Sequence, residues 1–152
     1  MKKNSTATCL SAFFILFLFY TPSFAQEFSD VCTSAETISS LSEALQQKET
    51  VQKLDLSMQK MTTLPLEVTQ LKNLQCLDLS FNKFSTLPAE LANLKNLTYL
   101  NLAGTRYMAK IPVVLKQLPH LKILDLRDHP EWNKTVFEEA KKMLPNVQII
   151  TQ

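Results

Sequence analysis

Residues 51–73 read VQKLDLSMQKMTTLPLEVTQLKN, and residues 74–96 read LQCLDLSFNKFSTLPAELANLKN. The two stretches align without a gap, and each is 23 residues long. A third copy covers residues 97–120 with one extra residue, and a fourth begins at Leu121 and becomes degenerate after Trp132. A fixed period of this length indicates a chain built from stacked structural repeats.

Leucines alternate with other residues at the start of each copy, as Leu54 and Leu56 do around Asp55. Such alternation places both leucines on one side of a short strand. Because one copy cannot bury its leucines alone, we predict that they face inward and that successive strands pair into a parallel sheet. A proline follows each strand where the chain must turn away from the sheet, at Pro65, Pro88 and Pro112.

The repeat combines an L-x-x-L-x-L-x-x-N-x-L half with an L-P-x-x-L-x-x-L half across residues 51–150, and it resembles the leucine-rich-repeat family. The resemblance implies an α/β solenoid with a short parallel sheet on the concave side, short helices or 3-10 turns on the convex side, and helical caps. The asparagine of the motif normally hydrogen-bonds backbone groups in the turn. All four side chains at that position can form hydrogen bonds, and they are Gln59, Asn82, Thr105 and His129.

The domain organisation follows from the repeat boundaries. We predict a signal peptide at 1–25, a leader and capping helix at 26–50, four repeats at 51–73, 74–96, 97–120 and 121–146, and a terminal strand at 147–152.

Both ends of an open solenoid need a cover. Ser40 and Glu43 form a capping-box pattern, and Ile38, Leu41 and Leu45 give residues 35–49 one apolar stripe, which predicts an N-terminal capping helix.

At the other end, residues 134–144 predict an amphipathic helix. We expect Trp132 to lie in the core beside this helix, and an exposed binding anchor is the alternative for this residue.

The first 25 residues have the order of a secretory signal peptide. Lys2 and Lys3 precede an apolar run at 10–20, and Pro22 comes before the small-residue site that ends at Ala25. The run is about half the roughly 20 residues that cross a bilayer, so an uncleaved signal anchor is the less favoured alternative. We expect a secreted protein, whether extracellular, periplasmic or on the cell surface, with no stable membrane insertion after cleavage.

Charge and motifs exclude several function classes. The full chain has a formal net charge of +2, and cleavage would remove Lys2 and Lys3 and leave a neutral mature chain. A neutral chain without a run of basic residues is unsuited to binding nucleic acid. The mature chain has two histidines, His120 and His129, and a single glycine. It contains no metalloprotease, nucleophile-elbow or phosphate-loop motif. We therefore expect no catalysis, no metal site and no cofactor.

Two cysteines remain after cleavage, Cys32 and Cys76. Export permits a disulfide, but a bridge requires Cα atoms within about 7 Å. Because Cys32 precedes the first repeat and Cys76 lies in the second, we expect two separate, small apolar side chains. A single bridge between them is the alternative.

The residues between the leucines predict a binding surface on the concave face. Adjacent strands lie about 4.8 Å apart, so Asp55, Asp78, Asn101 and Asp125 should form an acidic strip interrupted once. A basic partner could dock on this strip, with Tyr99 and Phe81 as apolar anchors. The candidate site comprises Lys53, Asp55, Ser57, Cys76, Asp78, Ser80, Phe81, Tyr99, Asn101, Asp125 and Arg127. Two alternatives stay open: that the acids simply keep the sheet soluble, and, less favoured, that they bind a cation.

The sequence thus predicts an exported interaction module that binds a protein, or a glycan, through its concave face. The alternative is a self-associating structural or cell-envelope protein, a homo-oligomer that uses its terminal strand near 147–150, because edge strands invite pairing.

Overall fold

The computed structural model describes residues 32–151, so the predicted signal peptide lies outside the described residues. Six strands form one parallel sheet in the order of the chain. This architecture confirms the predicted solenoid. The strands are β1 Thr37–Ile38, β2 Lys53–Asp55, β3 Cys76–Asp78, β4 Tyr99–Asn101, β5 Ile123–Asp125 and β6 Gln148–Ile150.

The leucines of successive strands stand in register and point into the core. Leu54 pairs with Leu77, Leu77 with Leu100, and Leu100 with Leu124, and all four side chains are fully buried. A second row is buried beneath the strand ends and comprises Leu56, Leu79, Leu102 and Leu126. Burying one leucine stabilises a fold by about 2 kcal/mol, so these rows are the main source of cohesion between repeats.

Three 3-10 helices occupy the convex side, as predicted, and each begins directly after a proline. Proline fixes the backbone angle φ near the value that a helix start requires. The helices, Leu66–Gln70, Ala89–Asn93 and Val113–Gln117, return the chain to the next strand and bury apolar side chains against the leucine rows.

The N-terminal cap combines a strand with a short helix. Helix α1, Leu41–Gln46, has Ser40 as its N-cap. The Ser40 side chain accepts a hydrogen bond from the Glu43 backbone N–H, as the capping pattern predicts. Ile38 was expected on the stripe of this helix, and that prediction is wrong. Ile38 lies in β1 opposite Leu54, because pairing with β2 satisfies backbone groups and extends the leucine row.

The C-terminal cap is built around Trp132. Its indole N–H donates to the Met108 carbonyl at 2.6 Å, and its ring stacks on His129 with 3.9 Å between centroids. The side chain is buried, which confirms the core role over the exposed anchor. Helix α2, Lys134–Met143, follows with Asn133 as its N-cap and leads into β6.

Asn82 bonds to four backbone groups of the turn. Its amide nitrogen donates to the carbonyls of Leu56, Leu79 and Ser80 at 2.8, 3.0 and 3.3 Å. Its amide oxygen accepts from the Met61 backbone N–H at 3.0 Å. The side chain is buried, so these bonds replace water that cannot reach the turn.

The three substitutes for this asparagine also bond to the backbone, as expected. Thr105 Oγ1 and His129 Nε2 both donate to the Leu102 carbonyl, at 2.8 and 3.0 Å. Gln59 Nε2 donates to the Ser39 carbonyl at 3.4 Å. Each repeat therefore keeps a side-chain hydrogen bond to the backbone at this turn position, although the side chains differ. The bond of Thr105 stays within its own repeat.

Two further asparagines, Asn73 and Asn96, have a structural role that was not predicted from the sequence. Asn73 donates to the Glu49 carbonyl at 2.7 Å, and Asn96 donates to the Lys72 carbonyl at 2.9 Å. Each bond joins one repeat to the preceding segment on the side where the chain re-enters the sheet. The repeated L-K-N tripeptide was the sequence signal for this role.

Replacing Asn82 with alanine should lower the free energy of unfolding by about 3 kcal/mol, because its hydrogen bonds to the turn are lost and buried carbonyls stay unpaired. Urea denaturation followed by circular dichroism measures the change. Asn93→Ala is the matched control, since Asn93 is exposed and should shift the midpoint little. Equal effects in both variants would refute a special role for Asn82.

Candidate functional site

The four middle residues of the concave face form one column across the sheet. Asp55 lies opposite Asp78, Asp78 opposite Asn101, and Asn101 opposite Asp125. Ile150 continues the column on β6. The column is therefore acidic toward the N-terminal end of the solenoid and apolar at its C-terminal end.

Each of these four residues ends its strand with the same turn. The Oδ1 atom accepts a hydrogen bond from the backbone N–H two residues later, which is an Asx turn. The bonds join Asp55 to Ser57 at 2.9 Å, Asp78 to Ser80 at 2.8 Å, Asn101 to Ala103 at 3.0 Å and Asp125 to Arg127 at 3.1 Å. One side-chain oxygen of each of these four residues thus has a structural role that the sequence interpretation missed.

The second oxygens differ in what they meet. Asp125 is only 1% exposed and binds Arg127 through Nη2 at 2.7 Å and Nε at 3.1 Å. Hydrogen bonding to Asp125 raises the pKa of Arg127 further, so this pair stays neutral as a unit. Asp78 Oδ2 accepts from the Asn101 amide at 2.8 Å. Asp55 Oδ2 has no side-chain partner among residues 32–151.

The structure contains a disulfide between Cys32 and Cys76, with 5.8 Å between their Cα atoms. The expectation of two separate cysteines is therefore wrong. Because β1 adds a strand at Thr37–Ile38, the preceding residues lie beside the sheet and reach β3. Cys76 is 2% exposed, so little of its side chain is open to solvent.

A cavity of about 340 Å³ lies beside the disulfide at the N-terminal end of the concave face. We call it the N-terminal cavity. It brings together five of the predicted site residues with backbone and apolar walls. Its lining residues are Cys32, Thr37, Lys53, Leu54, Asp55, Cys76, Leu77, Asp78 and Tyr99.

Tyr99 supplies the phenol of this cavity. Burial raises its pKa to about 12, and the charges of Asp125 and Asp78 act in the same direction. The hydroxyl therefore keeps its proton at physiological pH and remains a hydrogen-bond donor. It makes no hydrogen bond to any side chain or backbone group that the structure describes, so it is available to a ligand.

The other predicted site residues lie outside the N-terminal cavity. Ser80, Asn101 and Asp125 are buried, and Ser57 and Arg127 lie at the strand ends. Phe81 follows β3 in the connecting loop rather than on the sheet face, and it is half exposed. The open part of the predicted surface therefore comprises the N-terminal cavity and, beyond the end of β5, the exposed side chain of Arg127.

The histidine of the C-terminal turn is occupied on both ring nitrogens. His129 Nε2 donates to the Leu102 carbonyl, and Nδ1 lies 3.2 Å from Glu131 Oε1. Its side chain is fully buried, and both nitrogens are engaged within the fold. Among residues 32–151 no three metal-ligating side chains come together, and no helix there is long and apolar enough to cross a bilayer.

Comparison with known proteins supports the leucine-rich-repeat resemblance. Residues 49–106 match the family described as leucine rich repeat. The fold is similar to that of a leucine-rich-repeat protein from Leptospira interrogans, with a TM-score of 0.50 and 28% sequence identity. The match covers 76% of this chain and 34% of that chain, so this chain spans about a third of its length. No curated protein matches significantly. With the repeats and the stacked sheet, these findings show a leucine-rich-repeat fold and support the resemblance to that family.

Reducing the disulfide should lower the free energy of unfolding by about 4 kcal/mol, since the bridge spans 44 positions and restricts the unfolded chain. Denaturation with and without dithiothreitol measures the difference. The Cys32→Ser/Cys76→Ser variant is the control, and its stability should not respond to the reductant. Alkylation of both thiols in the unreduced native protein would disprove the bridge.

Proposed function

We propose that this protein is an exported interaction module that binds a protein partner through the N-terminal cavity of its concave face. It has no catalytic activity in this proposal, and a glycan is the second class of ligand. The observation that carries the proposal is the cavity itself, which brings a carboxylate with one free oxygen, that of Asp55, together with the protonated, unpaired phenol of Tyr99.

Charge favours a basic group on the partner. Asp55 and Asp78 line the cavity, and neither has an ion-pair partner among residues 32–151. A lysine or arginine side chain would donate a charge-assisted hydrogen bond to the free oxygen of Asp55, the stronger kind of polar contact. The Tyr99 ring would pack against the stem of that side chain, as aromatic anchors do in interfaces.

Fold and family support a binding role. Solenoids present an extended concave surface, and their repeats use it for recognition. Secretion rests on the predicted signal peptide, and a disulfide suits an oxidising compartment outside the cytosol. These two observations are consistent with a partner on the cell surface or outside it.

Asp55→Asn and Tyr99→Phe should each raise the Kd for the captured partner by about tenfold or more, because each removes one polar contact to the ligand. Asp55→Asn keeps the Oδ1 acceptor for the Ser57 amide, so the Asx turn survives. The partner is captured from the exported fraction with residues 26–152 as bait, identified by mass spectrometry and titrated in a binding assay.

Glu67→Gln on the convex side is the matched control and should bind normally, because it removes one charge far from the cavity. A partner that binds the Asp55→Asn and Tyr99→Phe variants as tightly as the original protein would refute the concave-face proposal.

Self-association is the second candidate function, and the sheet edge favours it. Strand β6 ends the described sheet, and Ile149 and Ile150 on it are only partly buried. An edge strand offers unpaired backbone groups to another copy. Sedimentation velocity over a wide concentration range should show a dimer that Ile149→Lys dissociates, whereas a monomer at every concentration would exclude this alternative.

A further inference from the structure

The loops that follow β2, β3 and β4 concentrate positive charge on one edge of the solenoid. Residues 57–63, 80–86 and 103–110 contain four cations and no aspartate or glutamate. Because the strands are parallel and in register, all three loops leave the sheet at the same end. We call this edge the ridge. Its cations are Lys60, Lys83, Arg106 and Lys110.

The ridge cations are exposed and unpaired. Lys60, Lys83 and Arg106 occupy the same position of successive repeats, and all are exposed. None forms an ion pair within the described part of the chain. Since adjacent strands lie about 4.8 Å apart, the three charges form a row about 10 Å long that attracts anions.

Exposed apolar side chains accompany these cations. Met58 is 73% exposed, Phe81 49% and Tyr107 63%. Met58 and Phe81 each lie two residues before a ridge lysine. Every repeat of the ridge therefore presents an apolar side chain beside a cation, which is the composition of surfaces that enter a lipid interface.

Met58 and Phe81 occupy a turn position with a left-handed backbone. Both have positive φ, at 58° and 54°, and Gly104 has φ 64° at the same position of the next repeat. Bulky side chains rarely adopt this conformation, whereas glycine does so without strain. Asp128 has φ 60° at the same position of the fourth repeat, so the left-handed backbone belongs to the turn itself, and the repeats differ in the side chain that they place on it.

Gly104 also fixes the direction of Phe81. A Cβ atom at Gly104 would lie 2.5 Å from Phe81 Cδ1, so the ring rests directly on the glycine backbone. The ring is thereby held in place while half of its surface faces solvent. A preorganised aromatic side chain loses little entropy when it enters an interface.

We propose that the ridge is a peripheral binding surface for anionic lipid membranes. Its cations contact the lipid headgroups, and Met58, Phe81 and Tyr107 enter the interface between them. A lipid surface suits these side chains better than an acidic peptide, because Met58, Phe81 and Tyr107 are exposed apolar groups that a bilayer interface accepts. The concave face, which is a different surface, stays open to its partner.

The test is co-sedimentation of residues 26–152 with lipid vesicles. This range contains every described strand and helix with the disulfide, and it lacks the apolar residues 10–20 that would bind lipid themselves. We expect binding to vesicles of phosphatidylcholine and phosphatidylglycerol in equal parts, weak binding to pure phosphatidylcholine, and weaker binding at high salt.

Charge reversal of the ridge should abolish this binding. The Lys60→Glu/Lys83→Glu/Arg106→Glu variant should partition about a hundredfold less, since each cation near an anionic surface favours binding about fivefold. The control is Lys95→Glu/Lys116→Glu/Lys142→Glu, which has the same net charge but alters exposed lysines away from the ridge. It should keep more than half of its binding.

Glycine substitution tests the apolar part. Met58→Gly/Phe81→Gly removes both side chains at positions whose backbone suits glycine, so the fold should persist, as thermal denaturation will verify, while partitioning falls about tenfold. The proposal is overturned if anionic vesicles fail to bind the protein, or if the control triple variant loses as much binding as the ridge variant. Retention on immobilised polyglutamate without vesicle binding would also overturn it, in favour of an acidic protein segment.

Discussion

No repeat of this solenoid can bury its own leucines, so every repeat depends on its neighbours. The pairing of Leu54, Leu77, Leu100 and Leu124 across four strands makes one continuous core from four short segments. The extra residue of the third repeat does not disturb this register. Exposed Tyr107 absorbs it in the loop, while Met108 takes the buried place that Phe84 holds in the repeat before.

The same dependence explains the two caps. The leucines of the first and last repeats would face water without a cover. At each end of the solenoid, one strand and one helix cover them. At the N-terminus β1 and α1 cover the first repeat, and the disulfide fastens the preceding segment to β3. At the C-terminus Trp132 and α2 close the core before β6 completes the sheet.

Turns that recur in every repeat must satisfy the same backbone groups each time, and this need determines which polar side chains remain for binding. The Asx turns use one oxygen of Asp55, Asp78, Asn101 and Asp125. Arg127 neutralises Asp125. The acidic strip is therefore largely structural, and its free charge is confined to the N-terminal cavity. The cations of the ridge have no such internal role, which separates a negative sheet face from a positive edge.

The sequence by itself determined the repeat, the inward leucines, the convex 3-10 helices and the hydrogen-bonding turn position, because each is a local pattern that only one register of stacking can satisfy. It also placed the acidic column correctly. The tertiary structure alone decided that Cys32 meets Cys76, that Ile38 joins the sheet, and which carboxylates stay free. These features depend on where the leader lies against the second repeat and on neighbours one strand away. Spacing along the chain does not encode such distances, and only the packed fold fixes them.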